Sequence, residues 1–294
     1  MKVLNYGSLN YDYLYTVDHI VAEGETESSK RLSIHTGGKG LNQSIALAKA
    51  GVLVYHGGMV GSDGNELLDI CEKYGVDITN IKMVSDKSGH AIIQVDAEAH
   101  NCILLYGGAN RQQTKEHIDQ VLGGFSKGDI LLLQNEVNEL KYILDMAHSI
   151  GMTIILNPSP YDEAIDACDL NKVDIFILNE IEGQMMTGYN EPEEILAKLQ
   201  RKYPKAKVVL TLGKNGAIYQ DGNQRVSQSI FKTDPVDTTA AGDTFTGYFI
   251  AGYIEGLAVS DNLKRSAMAS SITVSRWGAA GSIPTKEELE AFRF

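Results

Sequence analysis

Two aspartates bracket a run of small residues in Asp237-Thr-Thr-Ala-Ala-Gly-Asp243-Thr-Phe, directly ahead of an apolar segment. Phe245, Phe249, Tyr253 and Leu257 follow at four-residue steps, which predicts a helix beginning near Gly242 or Asp243. The first amides of such a helix have no internal partners, and its dipole favours an anion there. Small residues such as Ala241 and Gly242 would let a phosphate come close to the backbone. Asp243 then has two uses open to it. It is either a first-turn acid that caps the helix, or a general base for a hydroxyl attacking a phosphoryl group held on those amides. The local pattern does not choose between them.

Three further stretches carry polar groups at useful spacing. Gly37-Gly38-Lys39-Gly40-Leu41-Asn42-Gln43 precedes a predicted helix over Ser44–Ala50. Its glycines permit close approach, and Lys39 and Asn42 could hydrogen-bond a polyol; a flexible turn with a solvated lysine is the alternative. Gly7-Ser-Leu-Asn10-Tyr-Asp12 ends a strand and puts Asn10 and Asp12 on one side of an extended chain. They could grip adjacent sugar hydroxyls or simply make a turn. Asn179-Glu-Ile-Glu182 closes another strand, where hard oxygen groups suit Mg²⁺ or complement a helix dipole. Thr211-Leu-Gly213-Lys214 is a strand-end turn well placed for a nucleotide.

Several chemistries have no support. The chain lacks G-x-x-x-x-G-K-[ST], a dinucleotide-binding G-x-G-x-x-G after the first strand, the protein-kinase motifs and G-x-S-x-G. The seven histidines show no metal-ligand spacing and read as surface or satisfied structural residues.

Positioning these groups requires a frame. The short apolar runs Val3–Tyr6, Ile130–Leu133, Thr153–Leu156, Asp174–Leu178 and Lys207–Leu212 read as buried strands. Helical spacing lies between several of them, as over Asn138–Ile150, where Leu140, Ile143, Leu144 and Ala147 share a face. That alternation predicts a three-layer αβα domain with a mostly parallel sheet. Residues of about 11–35 and 91–106 depart from it: β-rich pieces surround Ala22-Glu-Gly-Glu, and a hairpin pattern turns at Asp96-Ala-Glu-Ala. They predict a small antiparallel β lid attached to one domain that spans residues 1–294.

The formal charge of −12, from 26 basic and 38 acidic side chains, opposes general nucleic-acid binding. Hydrophobic content of 43% and charged content of 22% are globular values. Cys71, Cys102 and Cys168 fit neither a disulfide framework nor a zinc pattern. The opening residues lack the apolar region of a signal peptide, and no apolar run nears the ~20 residues of a membrane helix. A cytoplasmic protein without membrane partners is expected.

In this order, the stretches resemble the ribokinase-like (PfkB-type) carbohydrate kinase family, together with Gly107-Gly-Ala-Asn, Leu156-Asn-Pro-Ser-Pro and Gly278-Ala-Ala-Gly-Ser282-Ile-Pro. The resemblance implies ATP-dependent phosphorylation of a hydroxymethyl group on a small sugar, D-ribose foremost. A nucleoside or pseudouridine kinase, or a catalytically silent sugar sensor, are the alternatives. It further implies that Asp243 is the base and that the N–H groups of Ala241, Gly242 and Asp243 form an anion hole. Asn10, Asp12, Gly38, Lys39, Asn42 and Glu136 would hold the sugar. Asn179 and Glu182 would organise Mg²⁺ through water and phosphate, and Thr211, Gly213 and Lys214 would flank ATP. Asp237, the Thr239 carbonyl, Gly278 and Ser282 would surround K⁺. A homodimer through the lid sheets is also implied. Tyr11, where the family has a small residue, and Asn135, before Glu136, depart from the pattern beside the presumed sugar site. They leave a sugar other than ribose, or a base slot at Tyr11 or Tyr106, open.

Overall fold

The computed structural model describes residues 1–98 and 100–292. The chain runs through β1 (Val3–Tyr6), β2 (Asn10–Thr16), β3 (Arg31–Gly37), α1 (Lys39–Lys49), β4 (Val54–Val60), α2 (Asn65–Lys73) and β5 (Asp77–Met83). It continues with β6 (Gly89–Val95), β7 (Asn101–Tyr106), α3 (Lys115–Leu122), β8 (Ile130–Leu133), α4 (Leu140–Ile150), β9 (Thr153–Leu156), α5 (Glu163–Asp166) and β10 (Ile175–Asn179). Last come α6 (Glu180–Thr187), α7 (Pro192–Lys202), β11 (Lys207–Thr211), β12 (Ala217–Gln220), β13 (Arg225–Gln228), α8 (Ala241–Ile254), α9 (Val259–Val274) and α10 (Lys286–Ala291).

Nine strands form the main sheet in the order β13-β12-β11-β10-β9-β8-β1-β4-β5. All neighbours pair in parallel except β11–β12 and β12–β13. Both faces are covered, which is why its strands read as mostly apolar runs. Along β8, Ile130 and Leu132 enter the core beneath α1, α8 and α9, while Leu131 and Leu133 enter the core beneath α3, α4 and α7. The carboxyl ends of β1, β8, β9, β10 and β11 share one edge of this sheet, the edge at which open α/β sheets bind ligands.

The small sheet has the order β3-β2-β6-β7. It consists of two antiparallel pairs, β2–β3 and β6–β7, that meet through a parallel pairing of β2 with β6. The two segments are far apart in sequence and enter from the same side, which makes the central pairing parallel. Among the described residues no helix is long and apolar enough to cross a membrane.

Two helix starts differ from expectation. Gly37–Gln43 reads as a loop ahead of a helix at Ser44, yet α1 begins at Lys39. Gly38 adopts φ 93° to turn the chain into the helix, and packing carries Gly40 inside it. At its other end, Lys49 donates to the carbonyls of Ala280 (2.9 Å) and Ile283 (2.6 Å) and lies over the Tyr74 ring. Burial pushes the Lys49 ammonium down to about 8. Lys49→Met removes both bonds and should cost about 2 kcal/mol in urea unfolding at constant m-value. An unchanged midpoint would mean that the 280–283 loop holds its shape unaided. The second difference is at α8, which starts at Ala241 because Ala240 takes a left-handed φ of 60°.

Candidate active site

The polar residues singled out in the sequence collect at the ligand-binding edge. Asp243, in the first turn of α8, accepts from the Gln43 amide at 2.9 Å and from the Asn42 amide at 3.3 Å. Burial raises its carboxyl above the ordinary range, opposed by the Lys39 ammonium and by the Gln43 and Asn42 donors. Lys39 is itself buried, which would lower its ammonium; Asp243, Glu136 and Glu182 outweigh that and hold it above its usual value. One ammonium thus stands among three carboxylates.

Glu136 follows the end of β8 and caps α1, accepting from the Lys39 backbone amide at 2.9 Å and from the Ser8 hydroxyl. Burial raises its carboxyl despite Lys39. On β2, burial and then Glu136 push Asp12 up to about 6. Its carboxylate lies across Gly37, where a Cβ would stand only 2.2 Å from Oδ2. Asn10 accepts from the Asn110 amide at 2.6 Å, and its own amide closes against Gly38. A cavity of ≈ 240 Å³ opens here between Asn10, Glu136, Asn110, Arg111 and Tyr106.

On the far side of Asp243 two cavities share Asn179, Thr211, Thr238, Ala241 and Gly242. The inner one, ≈ 250 Å³, also touches Lys39, Glu182 and Asp243. The outer one, ≈ 470 Å³, has the apolar wall Ile230, Pro235, Phe245 and Val274, with Gly213 and Lys214 at its rim. A phosphate-sized polar end thus joins a slot suited to a planar base.

Two expectations need correction. The Ala241 N–H donates to the Thr238 carbonyl at 3.2 Å, so Gly242 and Asp243 supply the first-turn amides without a protein acceptor among the described residues. Tyr11 does not face the sugar side: its ring is buried and its hydroxyl donates to the Asp63 carbonyl at 2.8 Å. Asn135 does line the sugar-side cavity, and its amide also braces the loop after β9 by donating to Pro160 and Asp162.

The implied ion sites differ in how well their residues fit. Glu182 and Asn179 form a capping box on α6, with both Glu182 oxygens accepting from Asn179. Among the described residues no three His, Cys, Asp or Glu side chains group as metal ligands. A carboxylate whose two oxygens are already engaged suits an Mg²⁺ reached through water and phosphate rather than one bound directly. Asp237 accepts from the Thr239 hydroxyl and amide and from the Gly278 amide, joining two loops. Burial would raise Asp237, but these donors outweigh it and lower its carboxyl. Ser282 lies in the same loop with its hydroxyl on the Ala279 carbonyl. An anionic carboxylate that ties two loops together suits a monovalent cation beside it.

Sequence reading passed over Gln43, Asn157, Asn5, Gln134 and Asn110 as site residues. A usable signal existed for two of them: Asn5 interrupts the apolar β1, and Gln134 directly follows the apolar β8. Polar groups there must find buried partners.

An acid and paired amides between a small polar cavity and a nucleotide-sized one define a phosphotransferase that acts on an alcohol group. The chain belongs to the pfkB family of carbohydrate kinases, whose family model matches residues 1–286. It is 32% identical over 296 residues to the ribokinase of Haemophilus influenzae, covering 97% of this chain and 96% of the relative. The ribokinase of Cryptococcus neoformans in complex with ADP superposes with a TM-score of 0.86 at 31% identity, covering 99% of each chain. Arabidopsis thaliana ribokinase complexed with ribose and ATP also gives 0.86, at 27% identity, over 99% of this chain and 97% of that one.

Proposed function

We propose that the protein transfers the γ-phosphoryl group of ATP to the hydroxymethyl oxygen of a small sugar, D-ribose to ribose 5-phosphate. The observation that carries this reading is the position of half-buried Asp243, tied to Asn42 and Gln43 and adjoining the phosphate-sized cavity. Its carboxylate removes the hydroxyl proton as the oxygen attacks phosphorus, and the bond to the β-phosphate oxygen breaks to release ADP. The Gly242 and Asp243 amides and the α8 dipole stabilise charge on the transferring group. Asn10, Asp12, Lys39, Asn42 and Glu136 hold the other hydroxyls. A pocket so rich in carboxylate acceptors favours a neutral polyol over an anionic substrate.

Asn179 and Glu182 would hold Mg²⁺ through water and phosphate, where it supplies charge neutralisation. Asp237, with Thr239, Gly278 and Ser282, would surround K⁺. Residues 1–294 act as one unit, with the small sheet as lid. Ile103, Leu104 and Leu105 are exposed on β7, which favours a homodimer through this sheet. The expected location is the cytoplasm.

A nucleoside remains the second reading because Tyr106 flanks the sugar cavity. An ADP-release screen of ribose, 2-deoxyribose, hexoses and nucleosides, in K⁺ and in tetramethylammonium, tests both. Ribose should give the highest kcat/KM, and replacing K⁺ should lower turnover at least tenfold. A preferred nucleoside would overturn the sugar assignment, and indifference to the cation would overturn the K⁺ site.

A further inference from the structure

Behind Asp243 lies a line of fully buried amide side chains that comes from separate elements: Asn5 on β1, Gln134 after β8 and Gln43 on α1. Its polarity is decided at both ends by backbone carbonyls, which can only accept. The Asn5 Nδ2 donates to the Gly40 carbonyl at 2.7 Å, so Asn5 must turn its oxygen to Gln134, whose Nε2 donates to it at 2.9 Å. The same Gln134 Nε2 donates to the Gln43 Oε1 at 2.7 Å. From the other side, the Asn157 Nδ2 donates to the Ile177 carbonyl at 2.8 Å, which leaves the Asn157 oxygen facing Gln43. Gln43 therefore presents its Nε2 to two acceptors, Asn157 Oδ1 at 3.0 Å and Asp243 Oδ1 at 2.9 Å.

Flipping the Gln43 amide would set its oxygen against both of those oxygens and its nitrogen against the Gln134 nitrogen. The arrangement persists even though Gln134 Oε1 has no partner among the described residues, a cost that buried oxygens seldom bear. We propose that Gln43 is a positioning residue. The Asn5–Gln134–Gln43 relay ensures that Asp243 always meets a donor, which fixes Oδ1, keeps the carboxylate ionised and leaves Oδ2 to take the substrate proton. The inference rests on the reading of Asp243 as base. The longer Asn42 contact of 3.3 Å to Oδ2 agrees with that division between the two oxygens. The charged groups acting on Asp243 are Lys39, Glu182 and Glu136, and the relay adds a neutral donor that favours the same form as Lys39.

The test compares Gln43→Met, Gln134→Met and Asp243→Asn in the full-length enzyme, each with its thermal melt, by steady-state kinetics across pH. Gln43→Met should lower kcat roughly 10- to 100-fold, with KM for sugar and ATP within about threefold of the parent. Its acid limb should move to higher pH, because a carboxylate that loses a donor ionises less readily. Gln134→Met frees the Gln43 amide to turn over and should shift the limb in the same direction with a loss of roughly 3- to 10-fold. It stands one residue further from Asp243, and methionine is unbranched, so it supplies the test if Gln43→Met does not fold. A fall in melting temperature with kcat and the limb unmoved in the folded variants, while Asp243→Asn is inactive, would overturn the relay and leave the base in place. Near-full turnover of Asp243→Asn would overturn both.

Discussion

Asp243→Asn is expected to lower kcat by 10²- to 10⁴-fold, the range for removal of a positioned general base. Asparagine keeps the size of the side chain and can still accept from Gln43 through its oxygen, so α8 and the pocket should persist. Sugar and ATP affinities, measured by calorimetric titration, should change less than about tenfold, because what is lost is a proton acceptor used only as the hydroxyl attacks. The parent enzyme should show the matching pH dependence. Burial raises the Asp243 carboxyl, and the base works only when ionised. Turnover should therefore fall with falling pH at a value above that of an ordinary aspartate, and this limb should vanish in the variant. Near-full activity in Asp243→Asn would show that another group takes the proton.

Gly40→Ala should do its damage through the backbone. A Cβ at this position would stand 2.4 Å from the Ser8 nitrogen, 2.5 Å from the Ser8 oxygen and 2.6 Å from the Gly7 carbonyl carbon. No flexible side chain is available to move aside, so α1 must lift off the turn after β1. That turn also anchors the helix through the Leu41 amide, which donates to the Ser8 carbonyl at 2.9 Å. The expected cost is roughly 3 kcal/mol or more, as for an overpacked core. Since Lys39, Asn42 and Gln43 ride on the same turn of helix, a displacement of about 1 Å should also lower kcat/KM about 10²-fold. Gly222→Ala, which meets nothing within 4 Å, serves as the control and should stay within about 0.5 kcal/mol of the parent. Urea unfolding of both decides the matter: equal midpoints for the two would mean that α1 can slide without penalty.

The strands were the most legible part of the chain. Val3–Tyr6, Ile130–Leu133 and Thr153–Leu156 could be bounded to the residue because a sheet covered on both faces favours short, mostly apolar runs. The start of α1 was not legible, since three glycines in Gly37–Gly40 look like a loop when their packing against Gly7 and Ser8 is unknown. The candidate base, sugar-side and phosphate-side residues were recognisable as types at characteristic spacing. Their hydrogen-bonded support was not: Gln134 and Asn5 are 129 residues apart, and no local pattern announces their meeting. The apolar wall of the nucleotide-sized cavity was hidden for the same reason, as Ile230 and Val274 come from unconnected segments. Tyr11 misled because Asn10 before it lines the cavity while its own ring enters the core.

Helix α1 also acts as a ruler. Lys39, Asn42 and Gln43 meet Glu136 and Asp243 at one end, and Lys49 meets the 280–283 loop at the other. An inserted residue would turn everything beyond it by about 100° and advance it by about 1.5 Å, so both ends could not be satisfied together. Length variation should therefore be absent between Lys39 and Lys49. It should gather instead in the exposed turn at residues 22–25 between β2 and β3, where an added residue lengthens a surface loop.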